Sequence, residues 1–470
     1  MPEGRNPEEK RIIRIAMENG QGHLFRFWDE LSASEKDELI NDVKSIDFDR
    51  LREAVKLLKA QRKPKGHFTL PEIIRADIEE SEPGLYQKAR VMGENLIKDG
   101  RVAVFTAAGG QSTRLGLDIP KGCFPVTPIK RKTLFQVFAE KIIFMRERFR
   151  SVFPWIIMTS ETNHQQTIDF FEQNNFFGLE AENVWFIIQE MFPSVDGEGR
   201  IFLREKNRIF KNPTGHGGTI NALFSSGVLE KLEKAGVESI FYFQVDNVLV
   251  KVLDPVYLGL HKLRGAEMSS KCVRKKDVNE KMGVFASLDG KPVVVEYSEA
   301  DLLDDPEKGY TRADFMYGNI AVHIIETAFV KRLVSNGIEL PFHVAFKKIP
   351  HMDDNGNKIN PAAPNGYKFE TFIFDALAFA ERSLVVETIR REEFSPLKNR
   401  EGDDSPQMVE RDQLLMFAGW FEEAGIPVER MDDGLPVYRL EVSPRFAPFK
   451  EYFLEKIDRN IRVEGDTYIE

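Results

Sequence analysis

Cysteine is nearly missing from this chain: Cys123 and Cys272 are the only two among 470 residues. Two thiols cannot make a disulfide framework, and they suit a reducing compartment. No apolar run reaches membrane-spanning length, and the opening MPEGRNPEEKR lacks the apolar stretch of a signal peptide. A cytoplasmic protein with no membrane partner is expected. A basic surplus is also absent. With 65 Lys and Arg against 75 Asp and Glu, the formal charge is −10, which speaks against a general nucleic-acid binder. Two common phosphate loops are missing as well. Gly116 is followed by Leu117 and Asp118 where a P-loop needs Lys and Ser or Thr, and Gln111 stands where the dinucleotide fingerprint needs its second glycine.

What is present concentrates in Val102–Gly122, VAVFTAAGGQSTRLGLDIPKG. Val102 to Phe105 form a short apolar run of the kind found in a strand covered on both faces. Gly109 and Gly110 let amide hydrogens come close to an anion. Arg114 then offers a planar fork for phosphate oxygens, and Lys121 a mobile point charge. For the glycines alone, an ordinary strand-to-helix turn with surface cations is the simpler reading. Cys123, next to this loop, reads as packing.

Helical spacing with polar faces runs through residues 1–97, and no site chemistry is visible there. Beyond the loop, Leu134, Phe138, Ile142, Met145 and Phe149 make the buried stripe of a helix. A strand at Trp155–Met158 completes a strand-helix-strand unit. The alternation continues with a helix near 161–174, a strand at Val184–Ile188, a helix near 219–235 and a strand at Ser239–Val245. This is the pattern of an α/β doubly wound, mostly parallel sheet, whose ligands bind at the carboxyl ends of the strands. From about 268 to 300 the pattern turns strand-like around Asp289-Gly290, as an excursion that could form one side of a cleft. The segment 351–366 reads as a loop. The polar break at 399–406 separates a small C-terminal subdomain, so the expected divisions are 1–97, 98–398 and 399–470.

Asp246 follows an apolar strand and would emerge at the ligand edge. It suits Mg²⁺ or Mn²⁺ shared with phosphate oxygens better than a simple turn cap. Gln189 ends another strand and offers the donor and acceptor that a uracil edge demands, though for a lone Gln an exposed strand-end amide is the simpler reading. His216, between Gly215 and Gly217, reads as a ligand contact rather than a core histidine. Lys368 and Lys398 alone would pass for surface charges.

GGQSTRLG with PKG resembles the signature of the nucleotidyltransferases that make nucleotide sugars, in particular the eukaryotic-type UDP-sugar pyrophosphorylase family, nearest its N-acetylhexosamine branch. The resemblance recurs at VDN (245–247), VEYSE (295–299), GNI (318–320), KKIP (347–350), PNGYKFETFIFD (364–375) and FSPLKN (394–399). It implies a Rossmann-like catalytic sheet with an N-terminal helical arm. It also implies transfer of uridylyl from UTP to a sugar 1-phosphate, N-acetylglucosamine 1-phosphate being the expected acceptor. Ala107, Ala108, Gly109, Gly110, Gln189 and Gly215 would then line UTP, and Asp246 would hold the metal. Arg114, Lys121, Lys368 and Lys398 would grip phosphates, while His216, Gly283, Glu296 and Asn319 would line the sugar. His216 departs from the Asn usual in the N-acetylhexosamine enzymes and leans toward glucose, so a UTP–glucose-1-phosphate or broad-range enzyme is the alternative. A transferase consuming nucleotide sugar should carry Asp-x-Asp, whereas Asp246 is followed by Asn247 and Val248. A silent nucleotide-sugar binder is disfavoured by the joint presence of Arg114, Lys121, Asp246, Lys368 and Lys398.

Overall fold

A computed structural model describes residues 3–58, 66–110, 112–305 and 308–470. By contact the chain divides into two units, the first drawn from residues 1–64, 189–218 and 340–373, the second from 65–188, 219–339 and 374–470. The expected cuts at 97 and 398 are not where the contacts divide it. Among the described residues, no helix is long and apolar enough to cross a membrane.

The second unit is built on a ten-stranded sheet: Phe68–Thr69 (β1), Val102–Ala107 (β2), Trp155–Thr159 (β3), Val184–Ile188 (β4), Ser239–Gln244 (β5), Met268–Arg274 (β6), Val284–Leu288 (β7), Lys291–Val295 (β8), Tyr317–Glu326 (β9) and Ser383–Glu387 (β10). The path runs β1-β7-β9-β5-β2-β3-β4, with β6 between β9 and β10, and β8 on β7. Strands β5, β2, β3 and β4 run parallel to one another, and β6 is parallel to β10. Strand β9 runs against β5, β6 and β7. β3 is buried along its whole length and β2 at all but its last residue, which is why they read as unbroken apolar runs without alternation. The Asp289-Gly290 turn has φ of +51° and +81°, the mirror-image turn that a tight β7–β8 hairpin requires.

The helix expected from the Leu134 stripe spans Leu134–Phe149; Thr133 caps its start, accepting from the Gln136 amide at 3.3 Å. The single helix expected near 219–235 is instead two, Thr219–Ser225 and Val228–Lys234, because Gly227 turns at φ +72°. The tail after 398 shares the sheet's own apolar cluster: Phe417, Trp420 and Phe453 belong with Phe138, Trp155 and Phe243.

In the first unit, helices Pro7–Glu18, Ala33–Lys44 and Phe48–Lys56 enclose a separate cluster. Ile12, Leu39 and Leu51 meet Phe192, Ile209, Phe342 and Phe369 there. Asp42, buried at 4% exposure, receives Arg208, Lys211 and the Ile209 amide, so its charge is paired. The 351–366 segment, expected to be all loop, holds a short hairpin pairing His351–Met352 with Lys358–Ile359.

One close approach fixes the end of the phosphate loop. A Cβ on Gly122 would lie 2.1 Å from the Phe135 ring, so the helix face presses directly on the backbone beside Lys121. Gly122→Ala is expected to destabilise the protein by about 1–3 kcal/mol through overpacking. A thermal melt would check this; an unchanged midpoint would show that Phe135 yields.

Candidate functional site

The loop after β2 starts beside the turn after β5, because Ala107 pairs with Gln244 in the parallel ladder. Ala107 is half-buried, Ala108 buried, and Gly110 exposed. A Cβ on Gly110 would meet nothing within 4 Å; the glycine leaves open room rather than relieving strain. The loop's carbonyls are pulled inward from the end of β3. Asn163 Nδ2 donates to Ala108 O at 2.9 Å and to Gly110 O at 3.4 Å, while Ser160 Oγ donates to Gly109 O at 3.0 Å. In a trans peptide the N–H points opposite the C=O. Anchoring the Ala108 and Gly109 carbonyls therefore aims the Gly109 and Gly110 amides away from Ser160 and Asn163, as an anion cradle needs. Both anchors are fully buried. Neither was singled out in the sequence, where SETN after a strand is an ordinary helix-start signal.

Lys121 lies within 3.9 Å of Asp246, Nζ to Oδ2, and both side chains are largely buried. That gap exceeds a hydrogen bond, so each group keeps capacity for another partner. Burial pushes the Lys121 ammonium below its ordinary value of 10.5; Asp246 works against this, and Lys398 and Arg114 add to it. Arg114 is exposed. Lys398 Nζ stands 3.6 Å from Asp404 Oδ2. The Asp404 carboxyl is pushed up by burial; Lys398 opposes this and Asp246 reinforces it. Asp404 thus belongs to the same charged group, although in the sequence it was part of a polar break. A cavity of about 370 Å³ borders this segment, lined in part by Lys276, Arg391, Phe394 and Asp404.

Gly283, Glu296 and Asn319 also come together. A Cβ on Gly283 would lie 2.7 Å from Glu296 Oε1, so the glycine makes room for the carboxylate rather than open space for a sugar. The Asn319 amide donates to Gly283 O at 2.8 Å, and its Oδ1 accepts from Ala321 N at 2.9 Å.

Gln189, Gly215, His216 and Lys368 fall in the first unit. Gln189 directly follows β4 and is buried, not exposed. Lys368 lies on the strand Gly366–Glu370, and burial lowers its pKa, with Glu370 opposing and Lys347 adding. The same segment then holds the glycine loop: Gly217 N donates to Thr371 O at 2.8 Å and Thr371 N to Thr214 O at 2.6 Å. Gly215 has φ +83°, a backbone that favours glycine. The His216 ring stacks on Phe372 at 5.2 Å, and its Nδ1 accepts from Ile373 N at 3.1 Å. His216 is therefore partly a packing residue, contrary to the expectation of a ligand contact alone. Burial, reinforced by His343, pushes it down to about 3. The ring is neutral at physiological pH, with its proton on Nε2.

Residues 75–418 match the family described as UTP–glucose-1-phosphate uridylyltransferase. The chain belongs to this family. It is 35% identical to the UDP-N-acetylhexosamine pyrophosphorylase-like protein 1 of Xenopus tropicalis, over 93% of this chain and 92% of that one. It is also 35% identical to a probable UDP-N-acetylglucosamine pyrophosphorylase of Dictyostelium discoideum, over 91% of each. Its fold is similar to the uridine diphosphate N-acetylglucosamine pyrophosphorylase of Trypanosoma brucei, with a TM-score of 0.79, 26% identity and coverage of 97% and 95%.

For a member of this uridylyltransferase family a divalent cation is the implied cofactor. Among the described residues no three His, Cys, Asp or Glu side chains gather into an all-protein cage. The donor set fits Mg²⁺ all the same: Asp246, with Asp404 in electrostatic reach, is what a cation bound chiefly by substrate phosphates and waters needs. Cys123 stays inert, its thiol pushed up to about 12 by burial.

Two expected outcomes follow from the geometry. Asn163→Ala should weaken UTP binding about tenfold, or about 1.4 kcal/mol, as the loop's carbonyls lose their anchor; calorimetry giving wild-type affinity would refute the anchoring. The free-enzyme profile of kcat/KM for UTP should fall as pH rises through a value below 10.5, because Lys121 binds phosphate only when protonated and its pKa is lowered. In Lys121→Arg that alkaline limb should move upward; a limb that stayed put would assign it elsewhere.

Proposed function

We propose that this chain transfers uridylyl from UTP to N-acetylglucosamine 1-phosphate, releasing pyrophosphate. The observation that carries the reading is the loose pairing of Lys121 with Asp246 at 3.9 Å, where the anchored amide loop and the β5 turn leave the sheet together. A triphosphate brings what both lack: phosphate oxygens for the lysine, and a cation to share with the carboxylate. A second phosphate enters beside Lys398. The family match and the relatives named for N-acetylglucosamine, each covering at least nine-tenths of this chain, support the substrates.

In this reading the sugar phosphate attacks the α-phosphorus of UTP in line. A phosphorus–oxygen bond forms to the nucleophile as the bond to the bridging oxygen breaks, and pyrophosphate carries away the electron pair. With a second pKa of about 6 the nucleophile is already mostly a dianion at neutral pH, so no general base is needed. The protein's part is alignment and charge neutralisation. Arg114 and Lys121 hold the triphosphate, Lys398 steadies the incoming phosphate, and Asp246 would hold the cation, which when bound would neutralise charge on the phosphates. On the sugar side, Glu296 and the Asn319 side-chain carboxamide read hydroxyls.

A pyrophosphate-release assay tests this with UTP and the 1-phosphates of N-acetylglucosamine, N-acetylgalactosamine, glucose and galactose. N-acetylglucosamine 1-phosphate should show the highest kcat/KM. Chelator should abolish turnover, and Lys121→Ala and Asp246→Ala should each lose at least about a hundredfold, as for a contact that strengthens in the transition state. His216→Asn keeps an acceptor for Ile373 N but drops the ring, and should sharpen the preference for N-acetylated sugars. Use of glucose 1-phosphate with neglect of both N-acetylated sugars would overturn the choice of sugar.

A further inference from the structure

The residue after Asp246 was used above only to exclude an Asp-x-Asp signature, yet its side chain is the most heavily engaged polar group in the turn. Asn247 is 3% exposed. Its Nδ2 donates to Glu393 O at 2.7 Å, and its Oδ1 accepts from Ser395 N at 3.1 Å and Leu249 N at 3.3 Å. The neighbouring backbone repeats the link, since Leu397 N donates to Asp246 O at 2.8 Å and Asn247 bridges to Pro396. One side chain therefore ties the turn carrying Asp246 to the segment Glu393–Lys398.

Both partners of this tie are themselves held. Glu393 is gripped by Lys271 on β6 at 2.6 and 2.8 Å, and Lys271 is 1% exposed. Ser395 Oγ donates to Asp412 at 2.7 Å. From the helix side, Lys141 Nζ donates to Val248 O and Val250 O, each at 2.8 Å. The turn is thus fixed on two sides, and Asn247 reaches from it by side chain to the segment that ends in Lys398. The chemistry of the position is narrow. A carboxamide can donate to a carbonyl and accept from two amides at once. A carboxylate cannot donate, and would set a charge against Glu393 O and next to Asp246.

We infer that Asn247 is a positioning residue that locks the Asp246 turn to the Lys398 segment, so that the group holding the triphosphate's cation and the group holding the incoming sugar phosphate act at one fixed separation. This rests on the reaction proposed above. Asn247 touches neither substrate; it acts through Lys398.

The test is a double-mutant cycle on kcat/KM for N-acetylglucosamine 1-phosphate, comparing wild type, Asn247→Asp, Lys398→Ala and the pair, with UTP affinity and thermal melts measured in parallel. Asn247→Asp should lose at least tenfold in the wild-type background and less than twofold in the Lys398→Ala background, while UTP affinity stays within threefold. Penalties that multiply would make Asn247 a fold residue with no link to Lys398, and wild-type turnover in Asn247→Asp would remove the role altogether; either result overturns the inference. If Asn247→Asp gives no cooperative melt, Asn247→Ser is carried through the same cycle against the same limits. A wild type with no turnover on any sugar 1-phosphate sinks the proposed reaction and this inference with it. Turnover in wild type with multiplying penalties sinks the inference alone.

Discussion

A lysine is buried and only loosely paired, at 3.9 Å, beside an aspartate where two parallel strands end. Burying Lys121 costs solvation that Asp246 offsets only in part at 3.9 Å. The rest of the second unit is arranged around that unfinished pair. Strands β2 and β5 run parallel and in register so that their exits coincide, Phe135 presses on Gly122 to hold the backbone beside the lysine, and Asp404 sits close enough to feel Asp246. A pair closed to hydrogen-bonding distance would be more stable on its own and would have less to offer a phosphate.

Preparation of the same kind recurs in the glycine loop, where carbonyl anchoring by Ser160 and Asn163 sets the amides before any ligand arrives. It recurs again at His216, whose neutral ring has one nitrogen committed to Ile373. In the glycine loop, hydrogen-bond capacity is spent on the inner side of the backbone, which leaves the amides of Gly109 and Gly110 facing outward.

The strand-helix-strand core was legible because burial on both faces leaves its mark on every residue. The apolar run at Trp155–Met158 shows this directly, while the Leu134 stripe and the Val184–Ile188 run, marked by apolar spacing and β-branched residues, gave the bounds observed. The division into units was not legible. Ile12, Phe192 and Phe369 share one apolar cluster though they come from three stretches of chain, and no local pattern records which distant stretch an apolar face will meet. The broken helix near Gly227 was missed because a single glycine is tolerated in many helices. Around the loop after β2, Asp246 drew notice because a motif and a strand end coincide there, Lys121 because a glycine turn precedes it, and Lys398 only through the resemblance at FSPLKN. Asp404 could not be named, since in a polar loop an aspartate looks like any turn residue. The inward-facing roles of Ser160, Asn163 and Asn247 depend on which carbonyls fold over them, and sequence spacing does not encode that.

The anchoring of the glycine loop from the end of β3 bears on how such a protein can vary. Since Ser160 and Asn163 reach across to hold the carbonyls, the loop borrows its shape from a neighbouring strand rather than from its own side chains. Two polar residues some fifty positions downstream therefore carry the constraint on its backbone. The shape of this loop is thus set by its scaffolding, and its determinants extend beyond the glycines to Ser160 and Asn163.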